Sequence, residues 1–264
     1  MKEAQGKKPL VKPLVCGLAA FVLCVTGFVG YSVYSDWRAK QDAMLAAQTI
    51  AEEEAQQKGS DVAEDVVENP IDFVSLQAQN PDIYAWISIP GTNVDYPILQ
   101  SSIDDNYYLR RDENKNPAEF GALFTQSCNA KDFSDPVTVV YGHYATNDAY
   151  FATLHYFENV DFFDTYQTIY VYTPTHLYTY QVIAAYQYDD RHIMNSYDFE
   201  RESERLHYFE SVLHPNSMLA NVRDGAQLSS DSKILQLSTC MSSYIVSNTR
   251  YIVTGVLTNE QVTY

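Results

Sequence analysis

Apolar and polar positions alternate along this chain in three different textures. From Leu14 to Tyr34 run 21 residues without a formal charge, mostly Leu, Val, Phe, Ala and Gly. A helix needs about 20 such residues to cross the hydrocarbon layer, so this stretch is expected to span a membrane. Over residues 35–69 the apolar positions thin out and Ala, Glu, Gln and Asp dominate. These are good helix formers, but the apolar residues are too sparse for a sustained heptad seam. A stalk, partly helical and partly flexible, is the expectation, ended by Asn69-Pro70. From Ile71 the texture changes again. FVSLQAQ reads as a short amphipathic helix stopped by Asn80-Pro81. Strand-like runs follow: YAWISI closed by Pro90-Gly91-Thr92, then VDYPIL, GALFTQ, PVTVVYG, TIYVYT, LYTYQVIAAY, KILQLSTC and RYIVTGVL. Between them, Asn147 to Phe157 and Phe199 to Leu213 have helical spacing and composition. Many short strands, few helices and no βαβ rhythm predict a mainly-β domain over residues 70–264, folded as a closed or nearly closed barrel.

Charge orients this layout. Lys2, Lys7, Lys8 and Lys12 precede the apolar span, while its far flank is mixed. The positive-inside rule then makes residues 1–13 a cytoplasmic basic tail, residues 14–34 a transmembrane signal anchor, and everything beyond extracellular. A cleaved signal peptide is the competing expectation, but its apolar region would be shorter, and no convincing small-x-small site precedes Asp36 and Trp37. The net charge is −17, and residues 1–40 hold six of the 17 basic residues but only two of the 34 acidic ones. The rest of the chain is therefore strongly acidic, which repels phosphate backbones and argues against nucleic-acid binding. The 22 tyrosines and the β-branched runs reinforce the β expectation. Of four cysteines, Cys16 and Cys24 lie in the apolar span, leaving Cys128 and Cys240 in the exported part. Two cysteines do not make a disulfide scaffold; either they pair or one is a reactive thiol.

Cys240 ends the run Ile234 to Thr239 and is followed by Met241-Ser242-Ser243, which presents a thiol at a sheet edge. His143 follows the strand Val137 to Tyr141 and one glycine, and Arg250 opens the strand Tyr251 to Leu257. With six residues between Ser243 and Arg250, the Arg strand has room to turn and lie beside the Cys strand. Thiolate, imidazole and guanidinium together make chemical sense. The first attacks a carbonyl, the second protonates a leaving amine, and the third stabilises an oxyanion and favours the thiolate. Taken singly, each has an ordinary alternative: a small buried apolar residue, a surface histidine, a surface arginine paired with one of many carboxylates.

The motifs decide between these. Gln236-Leu237-Ser238-Thr239-Cys240 resembles the Thr-Leu-x-Thr-Cys strand of the sortases of Gram-positive cell surfaces. Thr249-Arg250-Tyr251-Ile252-Val253 resembles that family's Arg strand, and Val140-Tyr141-Gly142-His143 its histidine motif. The order His, Cys, Arg fits. NPDIYAWISIPGTNVDYPILQ (80–100), NYYLRRD (106–112), GALFTQSCN (121–129) and the helix-rich insertion near 199–213 are similar to class B members. The likeness covers roughly residues 70 to 258. Three positions depart from it. Gln236 stands where Thr is usual, and Gln126 and Cys128 stand where class B members tend to have Asp and Arg. The absence of an Asp-Pro-aromatic lid motif and of a second apolar span counts against the pilus-polymerising class C.

The resemblance implies a closed β-barrel of about eight strands behind the anchor, and a catalytic set of Cys240, His143 and Arg250. Cys240 would attack the Thr carbonyl of an Asn-Pro-x-Thr-like sorting motif, or of a variant, near the C-terminus of a surface protein. His143 would protonate the departing amine, and a peptidoglycan cross-bridge or stem-peptide amine would resolve the acyl-enzyme. Ser238 and Thr239 would shape the pocket beside the nucleophile, with Leu109, His192 and Ile193 lining the peptide groove. The implied partners are surface proteins bearing the motif, the cell-wall amine, and the bilayer through the N-terminal helix. No cofactor is implied, and no tight His/Cys/Asp cluster suggests a metal. The competing functions are a non-enzymatic membrane-tethered surface domain, in which Cys240 is inert, and a pilus-subunit-linking sortase. Papain-like and caspase signatures are absent. Cys128 is expected to be a loop thiol without a role.

Overall fold

The computed structural model describes residues 66–145, 147–240 and 248–264. The expected tail, membrane span and nearly all of the stalk lie outside these residues. Among the described residues no helix is long and apolar enough to cross a membrane.

The first element is helix α1, Phe73–Gln79. Asp72 caps it by accepting from Ser75 N, and at Asn80 the backbone leaves the helical region, in keeping with the following Pro81. Strands β1 (Ile83–Ser88) and β2 (Asp95–Leu99) form an antiparallel pair. A 3-10 turn, Tyr107–Arg110, precedes β3 (Leu123–Phe124), which runs parallel to β2. The run GALFTQ thus yields a strand of only two residues. β4 is Val137–Tyr141, helix α2 is Val160–Thr165, and β5 (Thr168–Tyr172) and β6 (His176–Asp189) follow. The insertion holds α3 (Ile193–Ser196) and α4 (Glu202–Leu213), and then come β7 (Ala220–Val222), β8 (Ile234–Cys240) and β9 (Thr249–Val262).

The sheet order is β5-β1-β2-β3-β4-β8-β9-β6-β7, and β5 also pairs with β6. That extra pairing closes eight strands into a barrel and leaves β7 as a short appendage. β6 makes closure possible because it is long. Residues 177–181 pair with β5, residues 184–186 pair with β7, and the opposite edge runs the whole way along β9. Register shifts at Thr179/Tyr180 and Val182/Ala184 supply the extra local twist that a closing sheet needs.

Two apolar cores flank the β4-β8-β9 region. Val140, Leu235, Leu237, Tyr251 and Val253 point into the barrel. Val137, Val139, Ile234 and Ile252 point outward and are covered by Tyr208, Phe209 and Val212 of α4. Strands covered on both faces carry apolar residues on both, as Val139-Val140 of β4 and Ile234-Leu235 of β8 do.

The segment Asn147 to Phe157 is not one helix. Asp148 and Tyr150 have φ of 58° and 53°, and Tyr144 bridges back to Tyr150. A 3-10 helix then occupies Ala152–Glu158. Its buried residues explain the tighter winding: Phe151, Leu154 and Phe157 are all fully buried and recur every three residues, the period at which side chains eclipse in a 3-10 helix.

Gly142 couples this segment to β4. A Cβ at Gly142 would lie 2.4 Å from Leu123 Cδ2 and 2.5 Å from Phe151 Cδ2, both in fully buried side chains. Gly142→Ala is expected to cost about 1–3 kcal/mol of stability through overpacking. Thermal denaturation checks this, and an unchanged melting temperature would show that the neighbours yield freely.

Candidate active site

Strand direction gathers three side chains. β4 and β8 are parallel, with Tyr141 level with Ser238, and the ladder ends where Gly142 N donates to Ser238 O at 3.1 Å. β9 is antiparallel to β8, and its last pair in that direction is Cys240 with Arg250. The ends of β4 and β8 and the start of β9 therefore meet at one rim of the barrel, with Cys240 in the middle strand. Directly opposed residues of an antiparallel pair project from the same face, with Cβ atoms about 5 Å apart. Cys240 and Arg250 are such a pair.

A pocket of about 260 Å³ opens at this rim. His143, Cys240 and Arg250 line it, and so do Ser238, Thr239, Leu109, His192 and Ile193. Every residue expected at the site is thus brought together, though not all in the same way. Alternation along β8 puts Ser238 on the face of Cys240, whereas Thr239 shares the interior face of Leu235 and Leu237. Leu109 rides on the 3-10 turn and is 39% exposed, an apolar side chain offered to the pocket mouth. Ile193 is 3% exposed and belongs chiefly to the core under α4. His192 caps α3 by accepting at Nδ1 from Asn195 N, 3.1 Å away. Its Nε2 then carries the hydrogen and donates to Gln126 Oε1.

Gln126 and Tyr141 are pocket residues that sequence reasoning left out of the site. Gln126, a departure from the family pattern, fixes His192. Tyr141 stacks on Phe124 with centroids 5.5 Å apart. Its buried hydroxyl has no partner among the described residues, and burial holds its pKa above the ordinary tyrosine value. Tyr141 thus lines the pocket while its hydroxyl remains an unspent hydrogen-bond donor. The only cue in the sequence is its place two residues before His143.

His143 is half-buried with its ring at the edge of Phe120, centroids 6.4 Å apart. Its pKa lies below the ordinary histidine value, first through burial and second through the charge of Arg110; a hydrogen bond to the Phe120 backbone opposes both. Arg250 Nη1 donates to the Thr249 carbonyl at 3.1 Å. Neither Cys240 nor Cys128 is in a disulfide. Cys128 is exposed and outside the pocket, and burial of its thiol and then the Asp105 charge raise its pKa. Both effects keep it in the unreactive thiol form.

A sortase-domain family model matches residues 87–258. The chain belongs to the sortase family. Its relatives are of class B. Sortase B of Listeria monocytogenes is 25% identical over 185 residues, covering 70% of this chain and 73% of the relative. The crystal structure of Clostridium perfringens sortase B is 30% identical, with a TM-score of 0.60 over 70% of this chain and 99% of that one. A Staphylococcus aureus sortase B–substrate complex, 22% identical, shares the fold with a TM-score of 0.63 over 84% of this chain and 96% of that one. The molecule is thus a class B sortase, a cysteine transpeptidase, and the expectation of a non-enzymatic surface domain is set aside.

Arg110 provides a test of the site's electrostatics. Its positive charge disfavours a second positive charge on His143, so removing it favours the imidazolium. Arg110→Ala is expected to move the His143 titration to higher pH, followed by the ring-proton NMR signal in a Cys240→Ala background. A titration that stays in place or moves down would contradict the assigned cause.

Proposed function

We propose that Cys240 is the nucleophile, His143 the proton shuttle and Arg250 the oxyanion partner of a surface-protein transpeptidation. The observation that carries this is the three-strand rim, where Cys240 and Arg250 are register partners and the His143 strand flanks Cys240 on its other side. Burial keeps the imidazole neutral near neutral pH, so it is able to take the thiol proton as sulfur attacks. The same proton then passes to the departing amine. The guanidinium of Arg250, fixed by the strand, faces the oxyanion that forms between these steps. An accepting amine next attacks the thioester and releases Cys240.

The substrate is a sorting motif of the Asn-Pro-x-Thr type or a variant, cleaved after Thr, and the acceptor is a peptidoglycan amine. Leu109 offers an apolar wall to the peptide, and His192, held in place by Gln126 and Asn195, offers a shaped polar one. Residues 14–34 anchor the enzyme in the membrane with residues 1–13 in the cytoplasm. The catalytic domain then lies outside, facing the cell wall of a Gram-positive bacterium. The length of the uncharged run and the four lysines before it support this placement.

The test is cleavage of a panel of fluorogenic sorting-motif peptides by the full chain in detergent. Wild type should cleave at least one peptide, and faster with an added amine. Cys240→Ala should cleave none. Arg250→Ala should lose about 100- to 1000-fold in kcat, the usual effect of removing one oxyanion donor. Cleavage that persists in Cys240→Ala would overturn the assignment.

A further inference from the structure

The 3-10 helix Ala152–Glu158 carries a second row of side chains beside its buried one. Residues three apart eclipse, so His155 and Glu158 meet, with Nδ1 2.5 Å from Oε1. The other ring nitrogen, Nε2, lies 3.0 Å from the backbone carbonyl oxygen of Cys240. A carbonyl oxygen only accepts, so Nε2 holds a hydrogen and donates. The contact of Glu158 with Nδ1 holds the ring with Nε2 aimed at Cys240.

Other contacts fix the plane of the ring. It stacks on Tyr251, centroids 4.7 Å apart and planes 22° apart, and meets the ring of Tyr144 edge-on at 4.9 Å. Tyr251 adjoins Arg250 and Tyr144 adjoins His143, so one imidazole touches the backbone of Cys240 and the chain neighbours of the other two. Glu158 is tied down as well. Asn221 of β7 donates to the carbonyls of Phe157 at 2.7 Å and Glu158 at 3.1 Å.

The place this ring occupies is a gap in the sheet. Alternate carbonyls of a parallel strand face the same neighbour. The carbonyl of Ser238 accepts from Gly142 N, so two residues on the carbonyl of Cys240 calls for the amide of Tyr144. β4 has ended by then, and Tyr144 has turned away to bridge with Tyr150. We infer that His155, oriented by Glu158, stands in for this missing strand partner and is a positioning residue for the attacking cysteine. The inference rests on Cys240 being the nucleophile. The ring acts on the peptide group that carries the sulfur and does not line the substrate pocket, so its loss should slow the chemistry and spare binding.

Two variants separate the donor from the packing. His155→Phe keeps a ring on Tyr251 and removes both ring nitrogens, whereas His155→Gln loses the ring and keeps a donor. With a peptide that wild type cleaves, His155→Phe should lower kcat about 10- to 100-fold, as small misplacements of a reacting group do. Its KM should stay within about twofold. His155→Gln should recover most of kcat, rates being referred to the fraction folded by melting curve. Wild-type kcat in His155→Phe, or equal losses in both variants, would overturn the inference. Failure of wild type itself to cleave any peptide would instead remove the nucleophile assignment, and this inference with it.

Discussion

The pairing of β8 with a parallel β4 on one side and an antiparallel β9 on the other is the constraint from which the rest follows. A parallel pair ends its two strands at the same edge, and an antiparallel neighbour begins there. Any residue at the end of β4, the end of β8 or the start of β9 is thereby delivered to one rim, whatever the intervening loops do. Two flanking cores hold this three-strand unit rigid. Interior residues such as Leu235, Leu237 and Val253 pack in the barrel, and Ile234 and Ile252 pack beneath α4. The helical insertion therefore supports the candidate site through packing. It covers the outer face of the strands that carry His143, Cys240 and Arg250.

The two departures in amide side chains, Gln236 and Gln126, each find a partner in the structure. Gln236 replaces the usual Thr of the motif, lies opposite Thr254 in the ladder and accepts from its hydroxyl at 3.0 Å. The departure in the motif is thus matched across the strand at its oxygen, while its buried Nε2 has no partner among the described residues. Gln126 is likewise matched, by His192. In both places an amide meets its partner across strands or loops far apart in the chain, which a motif comparison has no means of showing.

What was legible in the sequence follows from how local each feature is. α1, with its Asp72 cap and Asn80-Pro81 stop, and α4, beginning inside the expected 199–213 segment, are written in neighbouring residues. The long runs of β4, β8 and β9 declare themselves by apolar content. β7 went unseen because Ala-Asn-Val is three partly buried residues with no period. The segment 147–157 departs from the expected helix because its buried residues repeat every three positions rather than 3.6, and Asp148 and Tyr150 are left-handed. The three residues at the rim were legible through their motifs and order. His155 was not, since its contact with Cys240 spans 85 residues and depends on the phase of a 3-10 helix.

β9 ends, opposite Arg250, in the place where the described chain begins. Val67 N donates to Val262 O at 3.0 Å, and Asn69 Nδ2 reaches Thr173 O and Thr263 Oγ1. The 14 residues of β9 separate that junction from the reactive rim by about 40 Å at the usual rise of a strand. A mechanical load arriving from residues before Val67 would fall on the Val67–Thr263 bridge and the far end of the longest ladder in the barrel. Such a load would meet the β6–β9 ladder, 13 register pairs long, before the pair formed by Cys240 and Arg250.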